Sequence, residues 1–147
     1  MAIYLDANVI AALLLSEPTS PHVADMLRRE DEFAIGDFTS TEVAAVISRR
    51  VRTGEDTNAG AASRLEGLDR LKAWAGAAEP IEGEDIRLAE RLVRIFELKL
   101  RAPDAIHAAL CLRHRYVLAT FDRGLAQAAR ALGMICINPA ETSALKD

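Results

Sequence analysis

Cysteine is nearly absent from this 147-residue chain, which has only Cys111 and Cys136. Their spacing matches no metal or redox motif and supports no disulfide framework, which points to a reducing, cytoplasmic setting. Aromatic residues are scarce too, at one Trp, two Tyr and four Phe. They do not interleave with basic residues, so no aromatic-basic nucleic-acid-binding module is legible. A surplus of positive charge is also missing: 18 Lys and Arg against 22 Asp and Glu leave a formal net charge of −4. That excludes a uniformly basic coat while leaving room for a locally basic groove. No run approaches the roughly 18 consecutive apolar residues of a membrane span. Val9 to Leu15, the longest early run, has no positive leader and reads as a buried helix, not a signal peptide. Repeats, low-complexity tracts and long linkers are absent. What is present is a chain 50% apolar and 27% charged, the composition of a soluble globular protein. Its length predicts one domain spanning residues 1–147.

Short apolar runs alternate with helical patterns. Ala2 to Leu5 reads as a first strand buried on both faces, and Asn8 is placed to cap a helix to about Leu15. A break at Glu17–Pro21 leads to a helix over His22–Arg29 and a strand over Phe33–Ile35. Thr39-Ser40-Thr41-Glu42 has capping-box spacing and opens a helix to about Arg52. A short turn at Thr53–Asp56 predicts a hairpin with a helix over Asn58–Trp74, in which Leu65, Leu68, Leu71 and Trp74 pack. Glu79 to Glu82 is a weak strand. A helix then runs to about Leu98 with an apolar stripe of Ile86, Leu88, Ala89, Leu92, Val93 and Phe96. Pro103 opens a helix to about Arg113 that is apolar on nearly every side, hence buried. Tyr116–Ala119, a helix from Asp122 to Leu132, and Met134–Ile137 complete the order. Alternation of this kind predicts an α/β architecture: a parallel sheet of four or five strands, helices on both faces, and a protruding helical hairpin.

Four acids fall at helix starts: Asp6 after the first strand, Glu42 in the capping box, Asp104 after Pro103, and Asp122 after Tyr116–Ala119. Singly, each is explained as a cap or by about 0.3–1 kcal/mol of helix-dipole stabilisation. In an open α/β sheet, however, such positions gather beyond the carboxyl ends of the strands. Four carboxylates about 6 Å apart at an effective dielectric of 20 repel by about 2.8 kcal/mol per pair, or about 17 kcal/mol over six pairs. Dipoles do not offset that; protonation or a divalent cation does. An all-oxygen donor set suits magnesium or manganese, and the lack of Cys/His spacing argues against zinc.

The segments Tyr4-Leu5-Asp6-Ala7-Asn8-Val9-Ile10, Glu42-Val43, Arg101-Ala102-Pro103-Asp104-Ala105-Ile106-His107-Ala108-Ala109 and Thr120-Phe121-Asp122 stand in that order along the chain. From Met1 to about Pro139 the chain resembles the PIN-domain ribonucleases, in particular the VapC toxins of bacterial toxin–antitoxin pairs. The resemblance implies a PIN-like three-layer α/β/α fold and Mg²⁺- or Mn²⁺-dependent endonucleolytic cleavage of RNA by water. It assigns Asp6, Glu42, Asp104 and Asp122 as metal ligands and Asn8 and Thr120 as polar supports. Asn8 stands where many relatives carry a small hydroxyl residue. It further implies a homodimer and a cognate antitoxin, which would inhibit by placing a basic side chain near the acidic pocket. Arg49, Arg50 and Arg52, on the helix after Glu42, are candidates for RNA contact, with a solvated helix surface as the alternative reading. His107, three residues after Asp104, is either a support to the site or a satisfied core histidine, and Cys111 reads as inert core.

Two rival functions use the same acids. An aspartate-based phosphotransfer enzyme would use Asp6 as nucleophile, but it calls for a supporting lysine after a strand end. The lysines are Lys72, Lys99 and Lys146, and none stands there. A non-catalytic acidic interaction module would need no metal, so chelation discriminates it from a nuclease.

Overall fold

The computed structural model describes residues 1–30, 32–76 and 79–141. Its sheet has four parallel strands: β1 (Ile3–Leu5), β2 (Phe33–Ala34), β3 (Val117–Ala119) and β4 (Cys136–Ile137), in the order β2-β1-β3-β4. The central strands are buried on both faces, and their side chains alternate between two cores. Ile3, Leu5 and Ala119 face one core, Tyr4 and Leu118 the other. The first core is covered by α1 (Ala7–Leu14), α2 (Ser20–Arg29), α3 (Asp37–Arg52) and α4 (Asn58–Ala75). The second is covered by α5 (Gly83–Val93), α6 (Ala102–His114) and α7 (Arg123–Ala131). This is the expected three-layer arrangement. Among the described residues no helix is long and apolar enough to cross a membrane.

The central pair β1 and β3 is in register, Ile3 opposite Val117 and Leu5 opposite Ala119. From β1 the chain crosses to β2 on one side, then returns past β1 to β3 on the other. The carboxyl ends of β1 and β3 therefore flank the point where strand order reverses, the usual ligand position in such sheets.

Several expectations need correction. The weak strand over Glu79–Glu82 is reduced to a single bridge between Glu79 and Gly36. Beyond it Glu82 caps α5, and its backbone N–H donates to the Asp85 carboxylate at 2.8 Å. The capping box proposed at Thr39–Glu42 does not exist: α3 begins at Asp37, with Gly36 as its cap. Thr39 and Glu42 lie inside the helix, because Gly36 already adopts the extended conformation of a cap. Asp6, not Asn8, caps α1. The long helix expected to Leu98 stops at Val93, and a 3₁₀ turn covers Phe96–Leu98. Of its stripe only Ala89 and Leu92 are buried, while Ile86, Val93 and Phe96 are exposed. In the α3–α4 hairpin Leu68 is buried and Leu71 packs on the core, but Leu65 and Trp74 are exposed. The Trp74 ring nevertheless lies 5.3 Å from that of Phe33.

Candidate active site

Asp6 follows β1 directly and is almost fully buried. One carboxylate oxygen accepts from the Ala7 N–H at 2.7 Å, and the other accepts from the Thr120 hydroxyl at 2.7 Å. Burial is the main reason its carboxyl is pushed above the usual range; His107 and the two hydrogen bonds oppose the rise, and Glu42 adds to it. Thr120, just past β3, is the hub of this edge. Its oxygen accepts from the Asp122 N–H at 3.0 Å while its proton goes to Asp6. Asn8 crosses from α1 and accepts from the Phe121 N–H at 3.2 Å, with its amide 3.4 Å from the Thr120 oxygen. Asp122 caps α7 through the Leu125 N–H at 3.0 Å. Asn8 and Thr120 are thus hydrogen-bonded into the same edge as Asp6 and Asp122.

The second half of the site comes from α3 and α6. His107 is fully buried, and its Nε2 hydrogen-bonds the Glu42 carboxylate, with Asp6 Oδ1 at 3.8 Å. Its Nδ1 lies 2.8 Å from the Tyr4 hydroxyl, which also meets Thr39 Oγ1 at 2.9 Å. A carboxylate only accepts, so Nε2–H donates to Glu42. In the neutral ring Nδ1 then accepts from Tyr4 O–H, and the Thr39 hydroxyl donates to the Tyr4 oxygen. A chain of four side chains, Thr39-Tyr4-His107-Glu42, therefore links α3, β1 and α6, buried except at Glu42, where it reaches the cleft. The sequence reading left His107 between a core residue and a support; it is both. Tyr4 and Thr39 were missed altogether. The legible signal was a tyrosine in a doubly buried strand, whose hydroxyl must find a partner.

Asp6, Glu42, Asp104 and Asp122 all line one open cleft of about 510 Å³, together with Asn8, Glu17 and Arg101. Burial, then the negative charge of Asp122, lifts the Asp104 carboxyl above its ordinary value, against the pull of Arg101. Arg101 lies 3.6 Å from Asp104 and is otherwise exposed. Ligand-capable atoms of Asp6, Glu42 and His107 lie within 4.8 Å of one another. Both ring nitrogens of His107 are already engaged, however, so the free donors in the cleft are carboxylate oxygens. Arg49, Arg50 and Arg52 do not line the cleft. Arg50 pairs with Glu55 at 3.3 Å and Arg52 bonds Ser48 at 3.1 Å. No lysine lines it either, and Lys146 falls outside the described residues. Without a lysine in the cleft among the described residues, the phosphotransfer reading lacks the supporting cation it calls for.

A PIN-domain family model matches residues 3–131. Ribonuclease VapC47 of Mycobacterium tuberculosis is 31% identical over 144 residues, 93% of this chain and 96% of the relative. The structure of FitAcB from Neisseria gonorrhoeae aligns with a TM-score of 0.75 at 22% identity, over 93% of this chain and 97% of that one. A toxin–antitoxin complex from Klebsiella pneumoniae aligns with a TM-score of 0.64 at 20% identity, over 95% and 98% of the two chains.

Proposed function

Because the chain belongs to the PIN-domain family, we propose that it is a metal-dependent endoribonuclease and the toxin of a type II toxin–antitoxin pair. The convergence of Asp6, Glu42, Asp104 and Asp122 on one cleft at the switch point of the sheet carries this reading. The likeness to Ribonuclease VapC47 over almost the full chain supports RNA as the substrate.

A divalent cation fits the residues present. The cleft offers carboxylate oxygens without thiolate or free imidazole, a set suited to Mg²⁺ or Mn²⁺. Burial, and for Asp104 also the charge of Asp122, raises the carboxyls of Asp6 and Asp104, a cost that a bound cation would offset. The four acids would hold the ion, which when bound acidifies a water and neutralises charge on the scissile phosphodiester. The chain itself supplies orientation. Ala7 N–H and Thr120 O–H fix the two oxygens of Asp6, while His107 Nε2–H fixes Glu42. Asn8 pins the Phe121 peptide, and with it the turn that presents Asp122. Arg101, exposed on the rim, is positioned for a substrate phosphate.

An inhibitory antitoxin fits the same cleft, since an arginine fork engages carboxylates bidentately. A second copy of the chain would cover the exposed Ile86, Val93, Ile95 and Phe96 around α5, which supports the homodimer reading. The deciding experiment incubates purified protein with single-stranded RNA in Mg²⁺, in chelator, and as Asp104→Asn. We expect cleavage by wild type with Mg²⁺ only, and a loss of at least about 100-fold in the variant. Equal cleavage in chelator would overturn the metal role. No cleavage of any RNA would favour the acidic binding module.

A further inference from the structure

A second cavity of about 190 Å³ adjoins the cleft, lined by Thr120, Phe121, Asp122 and the outer face of α7. Asp122 is the only one of the four acids that lines both cavities. On α7 the residues facing the second cavity are Arg123, Ala126, Gln127 and Arg130, at helical spacings of three, four and seven, so they form one continuous stripe. Arg123 and Arg130 are exposed, and among the described residues neither side chain has an ion-pair or hydrogen-bond partner. They are about 10.5 Å apart along the helix. Asn138 and Glu141 close the far side. A carboxylate there repels a phosphate but accepts from a base amine, so backbone and base would occupy different walls.

The cavity is smaller than the roughly 300–1,000 Å³ of a free-standing ligand pocket. That size suits one unit of a strand that continues into the cleft. We propose that this cavity seats the nucleotide adjoining the scissile phosphate, with Arg123 and Arg130 meeting the RNA backbone, Gln127 reading the base, and Asn138, whose amide oxygen accepts from the Ala140 N–H at 3.0 Å, shaping the far wall. The proposal rests on the RNA-cleaving reading of the cleft. It makes α7 a determinant of which RNA is cut, through contacts to an unstacked base of a single strand. The floor is rigid for this purpose, because Thr120 is buried and bonded to both Asp6 and the Asp122 N–H.

The test uses full-length protein and a random-sequence single-stranded RNA pool. Binding is measured by anisotropy over a range of salt, and cleavage sites are mapped in parallel. The double variant Arg123→Ala/Arg130→Ala should bind at least about tenfold more weakly. The slope of log affinity against log salt should fall in magnitude by about 1.4, the value for two lost phosphate contacts on a single strand. A charge-matched control, Arg87→Ala/Arg91→Ala, takes two exposed arginines from α5 and should keep both affinity and slope. Gln127→Ala should retain the salt slope and relax preference at one position beside the cut. Wild-type salt slope and cleavage pattern in every α7 variant would overturn the subsite while leaving the nuclease intact. RNA binding that depends on Arg123 and Arg130 without any cleavage would instead remove the nuclease and keep the site. Absence of both binding and cleavage by wild type would remove both.

Discussion

At Tyr4 a wholly buried phenol stands between the Thr39 hydroxyl and His107 Nδ1, and burial pushes its ionisation far above the ordinary tyrosine value. Tyr4 is therefore a hydrogen-bonding strut, not an acid. Tyr4→Phe leaves two buried polar atoms unsatisfied, at a cost of about 1–3 kcal/mol. Thermal melting should register that loss, and RNA cleavage per folded molecule should fall as well, because His107 no longer holds one tautomer against Glu42. Glu42→Gln separates position from charge: glutamine still accepts from His107 Nε2–H, so the melt should hardly move while Mg²⁺-dependent cleavage drops by about 10-fold or more. Asp6→Asn removes a carboxylate that burial disfavours. In chelator its melting temperature should equal or exceed that of wild type, by about 2–4 °C for each kcal/mol relieved, with cleavage abolished. A marked fall in stability would make Asp6 a structural cap alone.

The elements show why α3 aims Glu42 correctly. Gly36 caps α3 two residues after β2 ends, and a Cβ built there would sit 2.7 Å from the Tyr4 hydroxyl. The close approach of α3 to β1 thus requires glycine. Gly36→Ala should displace Tyr4 or the first turn of α3, lower stability by about 1–3 kcal/mol, and weaken cleavage through the same chain to Glu42. Retention of both wild-type melting and wild-type activity would show that Tyr4 can move aside freely. The capping box read at Thr39 failed for a related reason: Thr and Glu three residues apart also suit a helix interior, where Thr39 turns inward to Tyr4. Helix α6 was legible almost to its ends, because a near-continuous apolar run after Pro103 admits little except a buried helix. The stripe read for α5 was only half right: the helix ends at Val93 before Phe96, and among the described residues no element covers Ile86, Val93 or Phe96.

For the whole molecule, the acidic cleft couples folding to pH. Carboxyls raised in the folded state keep protons that the unfolded chain has already released, so stability declines as pH rises through their elevated values. In chelator, wild-type protein should lose melting temperature as pH rises from the ordinary carboxylate range toward neutrality, and Asp6→Asn should lose less. Saturating Mg²⁺ should flatten the wild-type dependence. A profile rising with pH in chelator would mean that other groups dominate. An antitoxin arginine seated in the cleft would compete with the metal. Calorimetry at matched ionic strength should then show weaker partner binding in high Mg²⁺, and Asp104→Asn should bind more weakly as well. Identical affinities would place inhibition outside the cleft.

By itself the sequence determined the alternation of short apolar strands and helices, and with it the three-layer sheet. It also singled out the four acids, although only Asp6, Asp104 and Asp122 stand at helix starts and Glu42 lies inside α3. These are local signals: period, punctuation and capping chemistry act over a few residues and survive without knowledge of the neighbours. Only the tertiary structure decided which acids share a cleft, that Tyr4 and His107 from segments 103 positions apart form one buried chain, and that Arg101 lies on the cleft while Arg49, Arg50 and Arg52 do not. Those facts depend on how α3 and α6 cross the switch point of the sheet, and long-range packing leaves no periodic trace in either segment alone.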